Sequence, residues 1–371
     1  MKAGLTVQEL ATRVAANVNL RRDYIVNTSA MHYSASTDGQ ISIAIEQPKE
    51  PDAVKGPADI ELLPTQLMID QVGARLEIPR KYFKRMQADA PDLLVRNLEH
   101  WSWAKPESRM IRTFVGQDDT GFDVGRAYLS DRYKRLENEH VLAQIVPQLA
   151  QVPGISIQDC QITDSRMYIK AVTPRIQGEI KKGDAVQAGV IISNSEVGGG
   201  ALNISPLVFR LVCLNGMILP DQRFRAFHIG RRAEESDGVY EMLTDETRQA
   251  DDHAILLKAR DVANAIFNQD YFNKLLEPMR AAAEDKLETK RPDKAVEVLA
   301  SQVGLNEQEQ MDVLMHLIQG GDLTRWGIAN AVTRAAQDVV SFDRSVALES
   351  LGGNLMNLDR KDWKEISSAG E

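Results

Sequence analysis

The spacing of hydrophobic residues changes twice along this chain. Up to about residue 154, segments with helical periodicity, such as 63–76 and 79–100, alternate with strand-like segments. From Ile155 to Leu214, hydrophobic and polar residues alternate with a period of two, which predicts an antiparallel β-meander. After about Arg232 the periodicity is helical again. We therefore predict an α+β fold, with an antiparallel β-meander block flanked by helices and followed by a mostly helical C-terminal region.

The changes of pattern divide the chain into four predicted segments. They are an N-terminal α/β segment, a β-rich core, a helical region and a flexible tail, at residues 1–105, 106–232, 233–345 and 346–371. Local signals place individual helix ends. Gly304 is typical of a helix C-terminus, and Asn306 with Glu309 three residues later predicts a capping box that begins the next helix.

Charge is distributed unevenly along the 371 residues. The segments 1–160, 161–232 and 233–371 carry net charges of −2, +5 and −12, which add to the overall −9. Two interpretations remain open. The imbalance could reflect a solvated surface, or it could indicate a polyanion-binding face beside an acidic region that repels polyanions.

The sequence contains no recognisable catalytic motif. The six histidines have no second histidine or cysteine at metal-ligand spacing, and neither a phosphate-binding P-loop nor a nucleophile elbow is present. Gly198-Gly199-Gly200 precedes a predicted strand, so it is interpreted as a hairpin tip. We expect no catalytic residue, no metal and no cofactor, although an enzyme whose residues converge only in the fold stays open.

Composition also predicts where the protein works. There is no N-terminal hydrophobic signal region and no apolar run of about 18 residues, so we expect neither secretion nor a membrane partner. The two cysteines lie outside metal and redox spacings, which predicts free thiols in a reducing cytoplasm.

Two basic clusters with interleaved aromatic residues are the strongest candidates for a binding site. Arginine and lysine neutralise phosphates, and aromatic rings stack on unpaired bases, so this combination is typical of single-strand binding. The alternative is that the aromatic residues are core and the arginines pair with carboxylates. The candidate nucleic-acid-binding residues are Arg126, Arg132, Tyr133, Lys134, Arg210, Arg223, Arg225, Arg231 and Arg232.

Three stretches together resemble a known family. They are Arg126-Ala-Tyr-Leu-Ser-Asp-Arg-Tyr133, the pair Asn194-Ser-Glu-Val-Gly198 and Arg210-Leu-Val-Cys-Leu-Asn-Gly216, and Thr324-Arg-Trp-Gly-Ile-Ala-Asn-Ala-Val-Thr333. In this order the chain is similar to phage and plasmid-like proteins grouped as domain of unknown function 932, over roughly residues 110–345. The family offers no established catalytic residues.

The resemblance implies a setting rather than an activity. Members are typically encoded by phages, plasmids and integrated elements, often among replication and recombination functions. This implies single-strand binding or annealing in the bacterial host cytoplasm by a homo-oligomer, with single-stranded DNA and host or phage replication proteins as expected partners. The alternative is a non-enzymatic host-takeover or counter-defence factor that binds a host protein, which the acidic C-terminal region favours.

Overall fold

The computed structural model describes residues 4–47, 59–116, 121–133, 136–200, 202–219 and 245–370. Within these ranges the chain forms twelve α-helices and two sheets, which confirms the predicted α+β class. None of the helices in these ranges is long and apolar enough to cross a membrane. The chain divides into two compact units. The predicted division at residues 105, 232 and 345 stays a prediction.

The first unit, the six-stranded unit, comprises Ala11–Glu139 and Ser195–Gly200. Its strands are β1 (Arg21–Asn27), β2 (Met31–Ala35), β3 (Ile41–Ile45), β4 (Ile60–Pro64), β5 (Ser108–Phe114) and β6 (Asp123–Ser130). They lie in the order β1-β5-β6-β4-β3-β2, with β4 and β6 parallel and the other pairs antiparallel. The helices are α1 (Val7–Leu20), which begins before the unit, and α2 (Gln66–Arg75), α3 (Arg80–Asp89) and α4 (Pro91–Ala104).

The core of the six-stranded unit lies between its sheet and the helices α2, α3 and α4. Each helix contributes apolar residues three or four positions apart, such as Met68 and Val72 from α2 and Leu94 and Leu98 from α4. These side chains pack against buried strand residues that include Ile43. This packing fixes the side of α3 and α4 that faces the core, and it leaves the opposite side of each helix in solvent.

The second unit, the five-stranded unit, contains the residues up to Leu10, His140–Asn194 and the residues after Gly200. Its strands are β7 (Ser156–Ile162), β8 (Met167–Glu179), β9 (Ala185–Asn194), β10 (Asn203–Arg210) and β11 (Asn215–Ile218). All pairs are antiparallel, and the strands lie in chain order from β7 to β11, which confirms the meander.

Helices follow the meander and supply the larger core. Helix α5 (Asn138–Leu149) precedes the meander, and all but its first two residues belong to this unit. The others are α6 (Asp245–Ile266), α7 (Gln269–Glu284), α8 (Pro292–Val303), α9 (Glu307–Gly320), α10 (Arg325–Ala335), α11 (Phe342–Leu355) and α12 (Arg360–Ser367). The predicted capping box is confirmed at α9, where the Asn306 side chain accepts from the backbone N–H of Glu309 and Glu309 accepts in return.

Candidate functional site

Five of the nine sequence-predicted binding residues lie outside the described residues: Lys134, Arg223, Arg225, Arg231 and Arg232. The structure places Arg126, Arg132 and Tyr133 in the six-stranded unit and Arg210 in the five-stranded unit. Arg132 is exposed in the turn after β6. Arg126 is buried and Arg210 is partly buried, and the guanidinium group of each pairs with a buried carboxylate.

Arg126 belongs to a buried charge network in the six-stranded unit. Its Nη2 donates to Oε2 of Glu196 at 3.0 Å, and its guanidinium carbon lies 3.8 Å from the centre of the Phe114 ring. Burial lowers the pKa of Arg126 from its ordinary value, because water is removed from the charged form, and the Glu196 carboxylate opposes this shift. The guanidinium is therefore held by protein groups.

Arg112 is the centre of the same network and has no exposed surface. It donates to Asp23 at 3.0 Å, to both carboxylate oxygens of Glu137 at 2.8 and 3.0 Å, and to the backbone carbonyl of Glu196 at 2.7 Å. Arg21 adds ion pairs to Glu137 at 3.0 Å and to Glu139 at 2.8 Å. Desolvation raises the pKa of Glu137, and the Arg112 charge counteracts it. Three guanidinium groups are thus paired with four carboxylates.

Glu137, Glu139 and Glu196 come close enough to suggest a cation site, since one oxygen from each lies within 4.8 Å of the others. All three carboxylates, however, already have arginine partners. Glu196 also accepts from the backbone N–H of Asn138 at 2.8 Å. A metal ion would have to displace these partners, so the network is explained by its own charges.

Tyr133 and the segment after β9 contact each other in the six-stranded unit. The Tyr133 hydroxyl donates to the carbonyl of Ser195 and accepts from the N–H of Gly198, each at 3.3 Å. Gly198 has φ +81°, and a Cβ there would lie 2.5 Å from a methyl carbon of Leu129. Glycine is required because it adopts this backbone conformation and leaves room for Leu129.

Arg210 has a corresponding structural role in the five-stranded unit. It donates to both carboxylate oxygens of Asp184, at 2.6 and 2.9 Å, and the indole N–H of Trp326 donates to the same carboxylate at 2.8 Å. Asn215, five residues along, donates to the hydroxyl of Thr333 at 2.5 Å. These contacts bind the β10–β11 hairpin to α10.

A second buried charge cluster lies between β7, β8 and α11. Lys170 has no exposed surface, and its Nζ lies 2.7 Å from one oxygen of Glu349 and 3.8 Å from one of Asp159. Neither oxygen of Asp159 accepts a hydrogen bond within the described residues. Burial raises the pKa of Asp159 to about 6, Lys170 lowers it, and Glu349 adds to the rise.

This raised pKa makes stability depend on pH. Asp159 contributes to the free energy of unfolding fully below its unfolded-state pKa of about 4, and this contribution is lost as pH rises through its folded-state pKa of about 6. We therefore expect the free energy of unfolding of Asp159→Asn to rise by about 2–3 kcal/mol relative to that of wild type as pH is raised from 4 to 8. Urea unfolding at the two pH values measures this difference. Asp270→Asn, at an exposed aspartate of α7, is the control, and it should change the free energy of unfolding by less than about 1 kcal/mol. A pH-independent difference for Asp159→Asn would contradict this account.

The exposed sides of α3 and α4 carry several aromatic and cationic groups that belong to neither buried network. On α3, Arg80, Lys81, Tyr82, Lys84 and Arg85 are all exposed. On α4, Trp101 is half exposed and lies edge-on to His100. Residues 80–105 contain six basic and three acidic residues, a net charge of +3. We call Lys81, Tyr82, Lys84, Arg85, His100 and Trp101 the α3–α4 surface.

Trp103 is also exposed but has a structural contact. Its indole N–H donates to the carbonyl of Met31 at 3.0 Å, and the Glu99 carboxylate accepts from the N–H of Tyr33 at 3.4 Å. Strand β2 is an edge strand, and these two side chains occupy backbone groups that another strand could otherwise pair with. Trp103 therefore protects the sheet edge and is left out of the α3–α4 surface.

Fold and site together define an α+β protein in which motif residues such as Arg126 and Arg210 form ion pairs with buried carboxylates, and in which two helices expose cations beside aromatic residues. The chain belongs to the family described as Domain of unknown function (DUF932), whose model matches residues 127–350. This confirms the resemblance predicted from the sequence. No curated protein and no solved structure matches the chain.

Proposed function

We propose that this protein binds single-stranded nucleic acid, in an annealing-like role in replication or recombination. The observation that carries the proposal is the α3–α4 surface, where three exposed cations and an exposed tyrosine lie on one helix and an exposed tryptophan on the next. Cations neutralise phosphates without regard to sequence, and exposed rings stack on unpaired bases. A duplex hides its bases, so stacking favours single strands.

The ion pairs on α3 do not prevent this role. Arg85 lies 3.8 Å from Asp89, and both side chains are about three-quarters exposed. Exposed pairs of this kind contribute about 0–1 kcal/mol, so a phosphate can replace the carboxylate at small cost. The pairs of Arg126 with Glu196 and of Arg210 with Asp184 differ, because both carboxylates are buried and losing the arginine leaves an uncompensated buried charge. A direct role for these two residues in binding stays a prediction.

Charge reversal on α3 tests the proposal. We expect Lys81→Glu/Lys84→Glu to weaken binding of a labelled single-stranded oligonucleotide about tenfold or more at low salt, and to reduce the salt dependence of the affinity. Tyr82→Ala should weaken the binding free energy by about 1–3 kcal/mol, because the stacking of a base on the tyrosine ring is lost. Fluorescence anisotropy over a salt series measures both effects.

The matched control is Lys361→Glu/Lys364→Glu, which reverses two exposed lysines at the same spacing on α12. It changes net charge by the same amount and should leave affinity within about twofold, since long-range effects of exposed charges are screened. Equal loss in both double variants would mean that net charge alone governs binding, and the α3–α4 surface would be rejected.

The predicted alternative, a factor that binds a host protein, is supported by a different observation. Helix α9 exposes apolar side chains on a side that faces away from the core. This surface lies in the five-stranded unit, whereas the α3–α4 surface belongs to the six-stranded unit.

A further inference from the structure

Helix α9 has apolar residues on two sides. Val313 and Leu317 are buried in the core of the five-stranded unit. Met311, Met315 and Ile318 are 57%, 44% and 60% exposed. Their spacing of four and three residues puts them on one face of the helix, which we call the α9 stripe. An apolar row at helical spacing differs from single exposed hydrophobic residues, which are common on protein surfaces.

The side chains of the α9 stripe suit a docking surface. Methionine is unbranched and polarizable, so it adjusts its shape to the apolar groups of a partner. The helix itself is firmly held, with a capping box at Asn306 and a left-handed glycine, Gly321, after its last turn. A rigid helix with adaptable side chains pre-organises the backbone of the stripe.

The charges around the α9 stripe are acidic. Helix α9 contains Glu307, Glu309 and Asp312, and no lysine or arginine. Arg344 neutralises Glu309 through two hydrogen bonds of 2.7 Å. Glu307 lies one turn before Met311, and Asp312 lies three residues before Met315. A further carboxylate comes from outside the helix: Oδ2 of Asp338, which is partly exposed, lies 2.6 Å from Nε2 of His316 on α9.

We propose that the α9 stripe binds a basic amphipathic helix of another protein. Apolar residues of the partner would contact Met311, Met315 and Ile318, while its lysines or arginines would face Glu307 and Asp312. This is the helix-in-groove mode of recognition, in which apolar anchors supply affinity and flanking charges select the partner.

The acidic residues around the α9 stripe disfavour a second copy of this chain as its binding partner. A two-fold symmetric contact through the α9 stripe would bring the same surface of both copies together, with Glu307 and Asp312 of each near the same acidic helix. Like charges placed together at an interface cost free energy. A cationic partner removes this repulsion.

A model peptide tests the chemistry of the partner. The probe is a dansyl-labelled peptide of leucine and lysine with helical apolar spacing, titrated by fluorescence anisotropy at moderate salt. We expect Met311→Gln/Met315→Gln/Ile318→Gln to weaken binding about tenfold or more. Glu307→Gln/Asp312→Asn should weaken binding and make it less sensitive to salt. The control Val212→Gln/Val340→Gln removes other exposed apolar residues of the same unit and should bind like wild type.

Each other outcome overturns the proposal. Absence of binding to the wild-type protein, or equal affinity of the triple variant and the control, rejects the site. Equal binding of a leucine and glutamate peptide rejects the basic partner. Sedimentation of the protein alone gives a further check, because a wild-type dimer that the triple variant dissociates would show that a second copy occupies the stripe.

Discussion

Replacing Lys170 with methionine is expected to lower the free energy of unfolding at pH 8 by about 3–5 kcal/mol, because it removes the ammonium group that pairs with the buried carboxylates of Asp159 and Glu349. Protonation can relieve part of this loss, since a buried carboxyl without a partner charge takes up a proton more readily. The loss should therefore be smaller at pH 5 than at pH 8. Urea unfolding at the two pH values measures it.

Lys181→Met is the matched control in the same unit. Lys181 also pairs with an aspartate, Asp322, at 2.6 Å, but its side chain is 47% exposed. Its replacement should cost less than about 1 kcal/mol. Adding Asp159→Asn and Glu349→Gln to Lys170→Met removes all three charges and should recover much of the stability. Equal losses for Lys170→Met and Lys181→Met would contradict the importance of burial.

Replacing Arg112 with methionine in the six-stranded unit is also expected to lower the free energy of unfolding by about 3–5 kcal/mol. The guanidinium holds Asp23, Glu137 and the carbonyl of Glu196, so its loss leaves several acceptors without donors. Arg112→Lys should restore less than half of the stability, because an ammonium group cannot reproduce the planar fork of donors. Chemical unfolding tests whether stability decreases in the order wild type, Arg112→Lys, Arg112→Met.

Arg96→Met is the control for Arg112→Met. Arg96 pairs with Asp92 at 2.9 Å on the surface of α4, where both side chains are at least 70% exposed. We expect a change of less than about 1 kcal/mol. If Arg112→Met were as mild as Arg96→Met, the buried network would not stabilise the unit and its arginines could serve another purpose.

The sequence predicted those features that depend on neighbouring residues. A period of two identified the meander, and the capping box at Asn306 placed the start of α9. The predicted helix over 79–100 is instead two helices, which is a correction. Ala90 has φ −153° and ψ 64°, and Pro91 follows it; a residue before proline is kept out of the helical region, so α3 ends there and α4 begins with the proline.

The sequence could not predict the partners of the buried cations. Arg126 contacts Glu196, 70 residues away, and Lys170 contacts Glu349, 179 residues away. No local pattern encodes such pairs, because they form only when the sheets are assembled. The α3–α4 surface did have a local signal that was missed. Arg80-Lys-Tyr-Phe-Lys-Arg85 contains four cations and an exposed tyrosine in six residues.

The most direct test of the proposed function is a photo-crosslinking measurement that locates the nucleic acid on the protein. A single-stranded oligonucleotide carrying bromodeoxyuridine would be irradiated with the full chain at low salt, and the adducts mapped by mass spectrometry. We predict adducts on peptides that contain Tyr82 or Trp101. Adducts confined to other parts of the chain, such as 126–135 or 210–232, would contradict binding at the α3–α4 surface. The absence of any adduct would contradict the proposed nucleic-acid binding itself.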